Sequence, residues 1–169
     1  KTNVVSLPTL TQKFDQINAV TYNKIDDRSG KTNYGFIAQE IEQLFPHLVS
    51  KISDYVPSVF CNVVKIAEHQ FYCKTKMVTG PIKLYLYPKN ADGSLDEKET
   101  LCDIIEIDGD KYTVDCDLTD TVFVYGPKVD DYKTLDYNGM NAILVKALQE
   151  SNSRISTLEE RLSKLESLF

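Results

Sequence analysis

The sequence has no tryptophan, two methionines and two histidines, and no uncharged apolar run approaching a membrane span. A helix that crosses a bilayer needs about 20 predominantly apolar residues, so no membrane partner is expected. The opening stretch KTNVVSLPTL lacks the apolar core and cleavage pattern of a signal peptide. A basic excess is missing too: 19 Lys and Arg stand against 25 Asp and Glu, for a net charge of −6. That balance argues against a general phosphate-binding surface, and with no basic DNA-reading segment no nucleic-acid partner is expected. The four cysteines (Cys61, Cys73, Cys102, Cys116) lack the short C-x-x-C spacing of a zinc site and are too sparse for a disulfide scaffold. Free, partly buried thiols in a reducing compartment are the reading they support. His47 and His69 have no sequence neighbours in a metal or triad pattern and read as structural. No metal site and no cofactor are expected.

What is present fits a globular protein: 169 residues, 42% hydrophobic and 10% aromatic. The length allows one ordinary domain, or a small domain carrying an insertion. Charge favours the second arrangement. Residues 1–51 hold six basic and five acidic residues, residues 52–134 nine and fifteen, and residues 135–169 four and five. The middle segment thus carries the whole acidic excess, together with every cysteine. No internal repeat is apparent, which excludes solenoids and propellers.

Periodicity divides the chain in the same way. Leu10, Phe14 and Ile17 fall on one face of a short helix, with Pro8 suited to its first turn. AVTYNK (19–24) reads as a strand and the polar cluster Asp26–Asn33 as a turn. In YGFIAQEIEQLFP, Ile37, Ile41, Leu44 and Phe45 share a helical face, and Pro46 stops the helix. The middle segment alternates instead: IKLYLY (82–87), LCDIIEI (101–107), KYTVDC (111–116) and TVFVYG (121–126) read as strands. Asp108-Gly109 is a two-residue hairpin signal, because that turn demands positive φ. KNADGSLDEKE (89–99) superficially resembles a calcium loop through Asn90, Asp92, Gly93 and Asp96. The ligand spacing is wrong, and a hairpin tip accounts for it better.

The last segment reads as one long helix. Leu144, Leu148, Ile155, Leu158, Leu162, Leu165 and Phe169 step by three and four, with Ser151 filling one missing place. With Asn141, Leu148, Ile155, Leu162 and Phe169 at a, and Leu144, Ser151, Leu158 and Leu165 at d, the flanking positions pair Arg154 with Glu159 and Arg161 with Glu166. Those are the opposite charges expected between neighbouring chains of a parallel coiled coil. From Ser151 onward the apolar stripe narrows to this seam while the other faces are charged, so oligomerisation through the helix is expected. The alternative, an amphipathic helix packed on its own domain, applies to residues 140–150 and is weaker beyond them.

YGFIAQEIEQLFPHLV (34–49) and LDYNGMNAILVKALQESNSRISTLEERL (135–162) together resemble the C-terminal intramolecular chaperone domain of phage tailspikes and tail fibres. The endosialidase type is the best-known member, and a similar domain occurs in myelin regulatory factor. The opening KTNVVSL resembles the family's start, which carries a Lys-x-Asn. The resemblance covers residues 1–51 and about 130–169 and implies an α+β fold. In it a small mixed helix and strand core carries a long C-terminal coiled-coil helix within a homotrimer. Residues 52–129 depart from the family as an acidic, β-rich insertion. The implied partners are two further copies of the chain and the upstream fibre or spike domain of the same precursor. The implied setting is a viral protein that folds in the host cytoplasm and is afterwards released or virion-associated.

The resemblance also implies self-cleavage just before a serine that works with a lysine five residues downstream. Lys1 matches that lysine, and the serine falls upstream of the sequence, so the chain as given is catalytically incomplete. A lysine serves as base only when neutral, which requires its pKa to fall from about 10.4 toward roughly 7–8, a cost of about 4 kcal/mol. Burial on trimer assembly is a source for that shift. Asn3 matches the asparagine of Lys-x-Asn and either orients the dyad or caps a turn. Gln39 and Glu40 of GFIAQE either support the site or secure helix packing or a subunit contact. Gly35 allows a close backbone approach or a helix start. Two other readings stand beside this one: a trimerisation module that never cuts, and a binding module working through the acidic insertion.

Overall fold

A computed structural model describes residues 1–27 and 29–168. In chain order its elements are α1 (Thr11–Phe14), β1 (Ala19–Asn23), β2 (Thr32–Phe36), α2 (Ala38–Leu44), a 3-10 turn (Pro46–Leu48), β3 (Val49–Tyr55), β4 (Cys61–Ala67), β5 (Gln70–Tyr72), β6 (Gly80–Leu86), β7 (Lys98–Asp108), β8 (Lys111–Val114), β9 (Val122–Leu135) and α3 (Tyr137–Glu166). The protein is mixed α/β, with a large sheet and a long C-terminal helix. It forms two compact units. One gathers residues 1–22, residues 33–50 and the stretch from Lys133 onward; the other gathers residues 23–32 and 51–132.

The first unit is built from both ends of the chain. Its core joins Leu10, Ile41, Phe45 and Leu48 to Met140 and Ile143, with Phe14, Ile17, Phe36, Leu44, Val49 and Leu135 packed around them. Two local expectations are corrected here. Tyr34, Gly35 and Phe36 are not the start of a helix: they belong to β2, which pairs with β1 in a two-stranded sheet. Ile37 sits at the N-cap with extended backbone (ψ 115°) and is exposed, so the helical stripe begins one turn later, at Ile41. Pro8 stands ahead of the first helix rather than within its first turn, since α1 begins at Thr11. Pro46 does end α2, which closes at Phe45 before the 3-10 turn.

The second unit is a barrel. Its seven strands run in the order β3-β9-β4-β5-β8-β7-β6, and β9 also pairs with β6. The strands β9, β4, β5, β8, β7 and β6 therefore close a ring, antiparallel at every junction, with β3 added outside on β9. Closure leaves no open sheet edge within the ring, where unpaired backbone groups would otherwise remain. Alternation decides what lies inside. Ile82, Leu84 and Leu86 of β6 are buried, and so are Val122 and Val124 of β9, while Lys83 and Tyr85 face outward. Phe71 stacks on Tyr112 at 5.4 Å between ring centroids, and both are fully buried. The Tyr112 hydroxyl donates to the Thr75 carbonyl at 3.0 Å, which satisfies the one polar atom this ring brings into the core. The β7–β8 turn lies one residue later than Asp108-Gly109: Asp108 ends β7 and pairs with Lys111, so the two loop residues are Gly109 and Asp110, with Gly109 supplying the positive φ (64°). Residues 89–99 include the β6–β7 hairpin tip, closed by a bridge between Lys89 and Leu95.

Candidate functional site at the N-terminal segment and the C-terminal helix

Asp136 starts α3 by accepting the backbone N–H groups of Asn138 and Gly139, both at 3.0 Å. This caps donors that no helical carbonyl reaches. The cap fixes Tyr137, whose ring lies 6.4 Å from that of Phe36. A Cβ on Gly35 would stand 2.8 Å from the Tyr137 hydroxyl oxygen, so Gly35 serves close approach rather than a helix start. Two sequence motifs about a hundred residues apart are thereby brought into contact.

Two faces of α3 then have different fates. Met140, Ile143 and Ala147 are buried in the core of the first unit. Glu150 continues that face. Its carboxylate accepts from the Leu10 N–H at 3.1 Å, the Thr11 N–H at 3.1 Å and the Thr11 hydroxyl at 2.6 Å, and Lys146 lies 3.5 Å away. The Thr11 hydroxyl, the two backbone donors and Lys146 hold the Glu150 carboxyl below its usual range, against a smaller opposing effect of desolvation. This bracket caps α1, whose own N-cap residue, Leu10, has no side-chain oxygen. One residue further round, roughly 100° about the axis, lies the expected seam. Leu144, Leu148, Ile155, Leu158, Leu162 and Leu165 are exposed by between 37% and 62%. Phe169, the last expected seam position, lies outside the described residues. Among the described residues, Arg154 and Arg161 form no ion pair with Glu159 or Glu166, partners that their spacing directs toward another chain.

Lys1 is exposed, as are Asn3, Gln39 and Glu40. Asn3 has left-handed backbone (φ 56°), a conformation asparagine tolerates better than most residues. Gln39 and Glu40 lie in the first turn of α2, where the Glu40 charge suits the helix N-terminus. No hydrogen bond or ion pair joins these four among the described residues. Val4 and Val5, just after Lys1, are 81% and 86% exposed. The contact that does connect elements here follows from no motif or period: Glu42 of α2 pairs with Lys133 near the end of β9.

In the barrel unit the four cysteines are free of disulfides, Cys73 and Cys102 buried and the other two half-buried. Desolvation pushes the Cys61, Cys102 and Cys116 thiols upward. The fold brings Glu68, His69 and Asp117 together, with one ligand-type atom of each within 4.8 Å of the others, all three exposed. His69 Nδ1 lies 3.0 Å from the Cys116 carbonyl, a tie between the β4–β5 turn and the segment after β8. No helix among the described residues is long and apolar enough to cross a membrane.

The fold and this arrangement define an α/β protein whose C-terminal helix packs one face on its own unit and leaves an adjoining apolar face bare. Residues 1–50 match the family described as chaperone of endosialidase. These residues carry the domain that the GFIAQE and Lys-x-Asn motifs indicate. The chain is also similar to an uncharacterized protein, VP1, of Micromonas pusilla reovirus (isolate Netherlands/2005), with 30% identity over 196 aligned residues covering 82% of this chain. The chain spans 10% of that viral protein's length.

Proposed function

We propose that this chain is the C-terminal intramolecular chaperone domain of a viral fibre or spike protein. Residues 1–51 and 130–169 act as its chaperone core and residues 52–129 as an insertion. It trimerises through the α3 seam, aids folding of the upstream stalk in the host cytoplasm, and is released by serine/lysine autoproteolysis. The observation that carries this reading is the bare seam of α3 on the unit that also holds the chaperone-of-endosialidase segment. Similarity to a viral protein supports the setting.

Lys1 is the proposed base. When neutral, its amine takes the proton of the upstream serine hydroxyl as the oxygen attacks the preceding carbonyl carbon. The peptide C–N bond then breaks, the serine nitrogen leaves as an amine carrying that proton, and water hydrolyses the ester to free the fragment. An exposed lysine is well solvated as a cation. Assembly that covers Lys1, Val4 and Val5 would favour the neutral amine, so cutting would wait for the trimer. Asn3, Gln39 and Glu40 are proposed to support the site from neighbouring chains, since no bond joins them to Lys1 within one chain.

A longer chain that includes the upstream sequence tests this. Expressed as wild type and as Lys1→Ala, it is expected to release a fragment beginning at the serine only in the wild type, read by intact-mass spectrometry. Equal release from the variant, or equally fast release from a monomeric seam variant, would overturn the proposed chemistry. No release from either, with a trimer intact by sedimentation, would leave a trimerisation module that does not cut, the reading favoured by the unlinked positions of Lys1, Asn3, Gln39 and Glu40.

A further inference from the structure

The four cysteines stand apart in sequence, yet the barrel brings two of them face to face across β7 and β8. Along these strands Ile104 pairs with Val114. One step outward, the Asp115 N–H donates to the Asp103 carbonyl at 3.2 Å and the Asp103 N–H to the Asp115 carboxylate at 2.8 Å. Asp103 and Asp115 thus form a hydrogen-bonded pair, and Cys102 and Cys116 follow it in the same register, just past the end of β8. In an antiparallel ladder the position next to a hydrogen-bonded pair is a non-hydrogen-bonded one, where facing Cα atoms approach to about 4.5 Å. That spacing lies within the roughly 4.4–6.8 Å that a disulfide spans.

Alternation turns both side chains the same way. Cys102 shares the inward face of β7 with Ile104, Cys116 continues that of Val114, and both pack in the barrel core. The two thiols touch, with a hydrogen bond from the Cys102 thiol to the Cys116 sulfur. Cys102 is 8% exposed and Cys116 is only half-buried, so a reagent from solvent reaches Cys116 first. Cys61 and Cys73 also touch. The β4–β5 register, however, carries Cys73 opposite Val63 and leaves Cys61 on the diagonal. Diagonal neighbours stand about 7–8 Å apart, at or beyond the reach of a disulfide.

We propose that Cys102 and Cys116 form a dithiol site that a small disulfide oxidises to an intramolecular disulfide. The Cys116 thiolate attacks one sulfur of the oxidant, whose other sulfur leaves and takes up a proton as a thiol. The Cys102 thiolate then attacks the Cys116 sulfur of the mixed disulfide and displaces the second thiol. The two cysteines lose two electrons and two protons, and the oxidant gains them as two thiols. Desolvation, with the nearby Asp115 carboxylate, holds both thiols upward, so thiolate is scarce and the exchange is slow. The bond fastens β7 to the segment after β8, which holds the barrel more firmly in an oxidising medium than in a reducing one. The proposal is independent of the chaperone reading, and neither falls with the other.

Incubating the intact chain with 2-hydroxyethyl disulfide at about pH 8.5, where more thiolate forms, tests it. That reagent is neutral, so the Asp115 and Asp117 carboxylates beside Cys116 do not repel it. N-ethylmaleimide then caps the remaining thiols, and peptide mass spectrometry locates the bonds. The first disulfide is expected to join Cys102 to Cys116, with loss of two hydrogens and reversal by dithiothreitol. The thermal midpoint should rise by about 5 °C or more. Cys116→Ser is expected to abolish both the bond and the rise, with near-UV circular dichroism checking its fold, whereas Cys61→Ser should keep both. Cys102 and Cys116 still capped after prolonged oxidation, a first disulfide between other cysteines, or a bond that leaves the midpoint unchanged would each overturn the proposal.

Discussion

The two units bury apolar surface by opposite means. The barrel closes on itself, so that Ile82, Leu84, Val122 and Val124 face one another across a ring without free edges. The helical unit draws its core from residues near both ends of the chain, yet leaves six seam residues of α3 exposed, together with Val4 and Val5. Isolated exposed apolar residues are ordinary, but a stripe at heptad spacing flanked by charge is the pattern of a coiled-coil seam, the feature on which the proposed assembly rests. The barrel's stability is therefore expected to be a property of one chain, and that of the helical unit a property of the assembly.

The largest effect should come from breaking the seam. Ile155→Asp with Leu162→Asp places carboxylates at two a positions. Each lost apolar contact is worth up to about 1.5–3 kcal/mol per side chain, counted three times in the proposed trimer. Sedimentation is expected to shift from trimer to monomer at micromolar concentration while the near-UV signal of the barrel aromatics persists. A wild-type chain that already sediments as a monomer would remove the contrast between the units. The converse experiment acts inside the barrel. Leu84→Ala truncates a fully buried side chain and should cost about 2–5 kcal/mol, read as a lower unfolding midpoint in urea, with the oligomer unchanged below that midpoint. Loss of the trimer in native buffer would mean that the units are not energetically separate.

The same contrast governs how much of this could be read in advance. α3 is legible because its period is local: Leu148, Ile155 and Leu162 mark a helix whatever else the chain does. The β7–β8 hairpin is legible for a similar reason, since Gly109 marks its turn to within one residue. Closure of the barrel is not, because it depends on β9 finding β4 along one side and β6 along the other, and no short window holds that information. Val49–Tyr55 and Cys61–Ala67 escaped as strands because polar residues such as Ser53, Asp54 and Asn62 interrupt their apolar pattern. Ile37 invited the opposite error: its spacing to Ile41 imitates a helical stripe, while pairing with β1 claims the preceding residues for a strand. At the candidate site, Lys1 was reached through family resemblance alone. The Glu42–Lys133 and Glu150–Thr11 contacts join residues 91 and 139 positions apart, which neither period nor motif encodes.

Glu150 offers the finest probe of the comparison, because it fastens the N-terminal segment to α3 where the docked face ends. Its carboxyl is held below the ordinary range by the Thr11 hydroxyl, the Leu10 and Thr11 backbone donors and Lys146. A carboxylate with a lowered native pKa contributes stability that is fully present above its unfolded value of about 4.3 and is lost as pH falls through the native value. Glu150→Gln keeps the shape but removes the charge, so it should melt a few degrees below wild type at neutral pH. As acid protonates the wild-type carboxyl, the two melting curves should converge. Helix melting followed at 222 nm from neutral pH to about pH 3 checks this, since protonation of the other carboxylates affects both proteins alike. A gap that stays constant with pH would mean that Glu150 acts through packing alone. It would also mean that the charge contributes nothing to holding the N-terminal segment on α3.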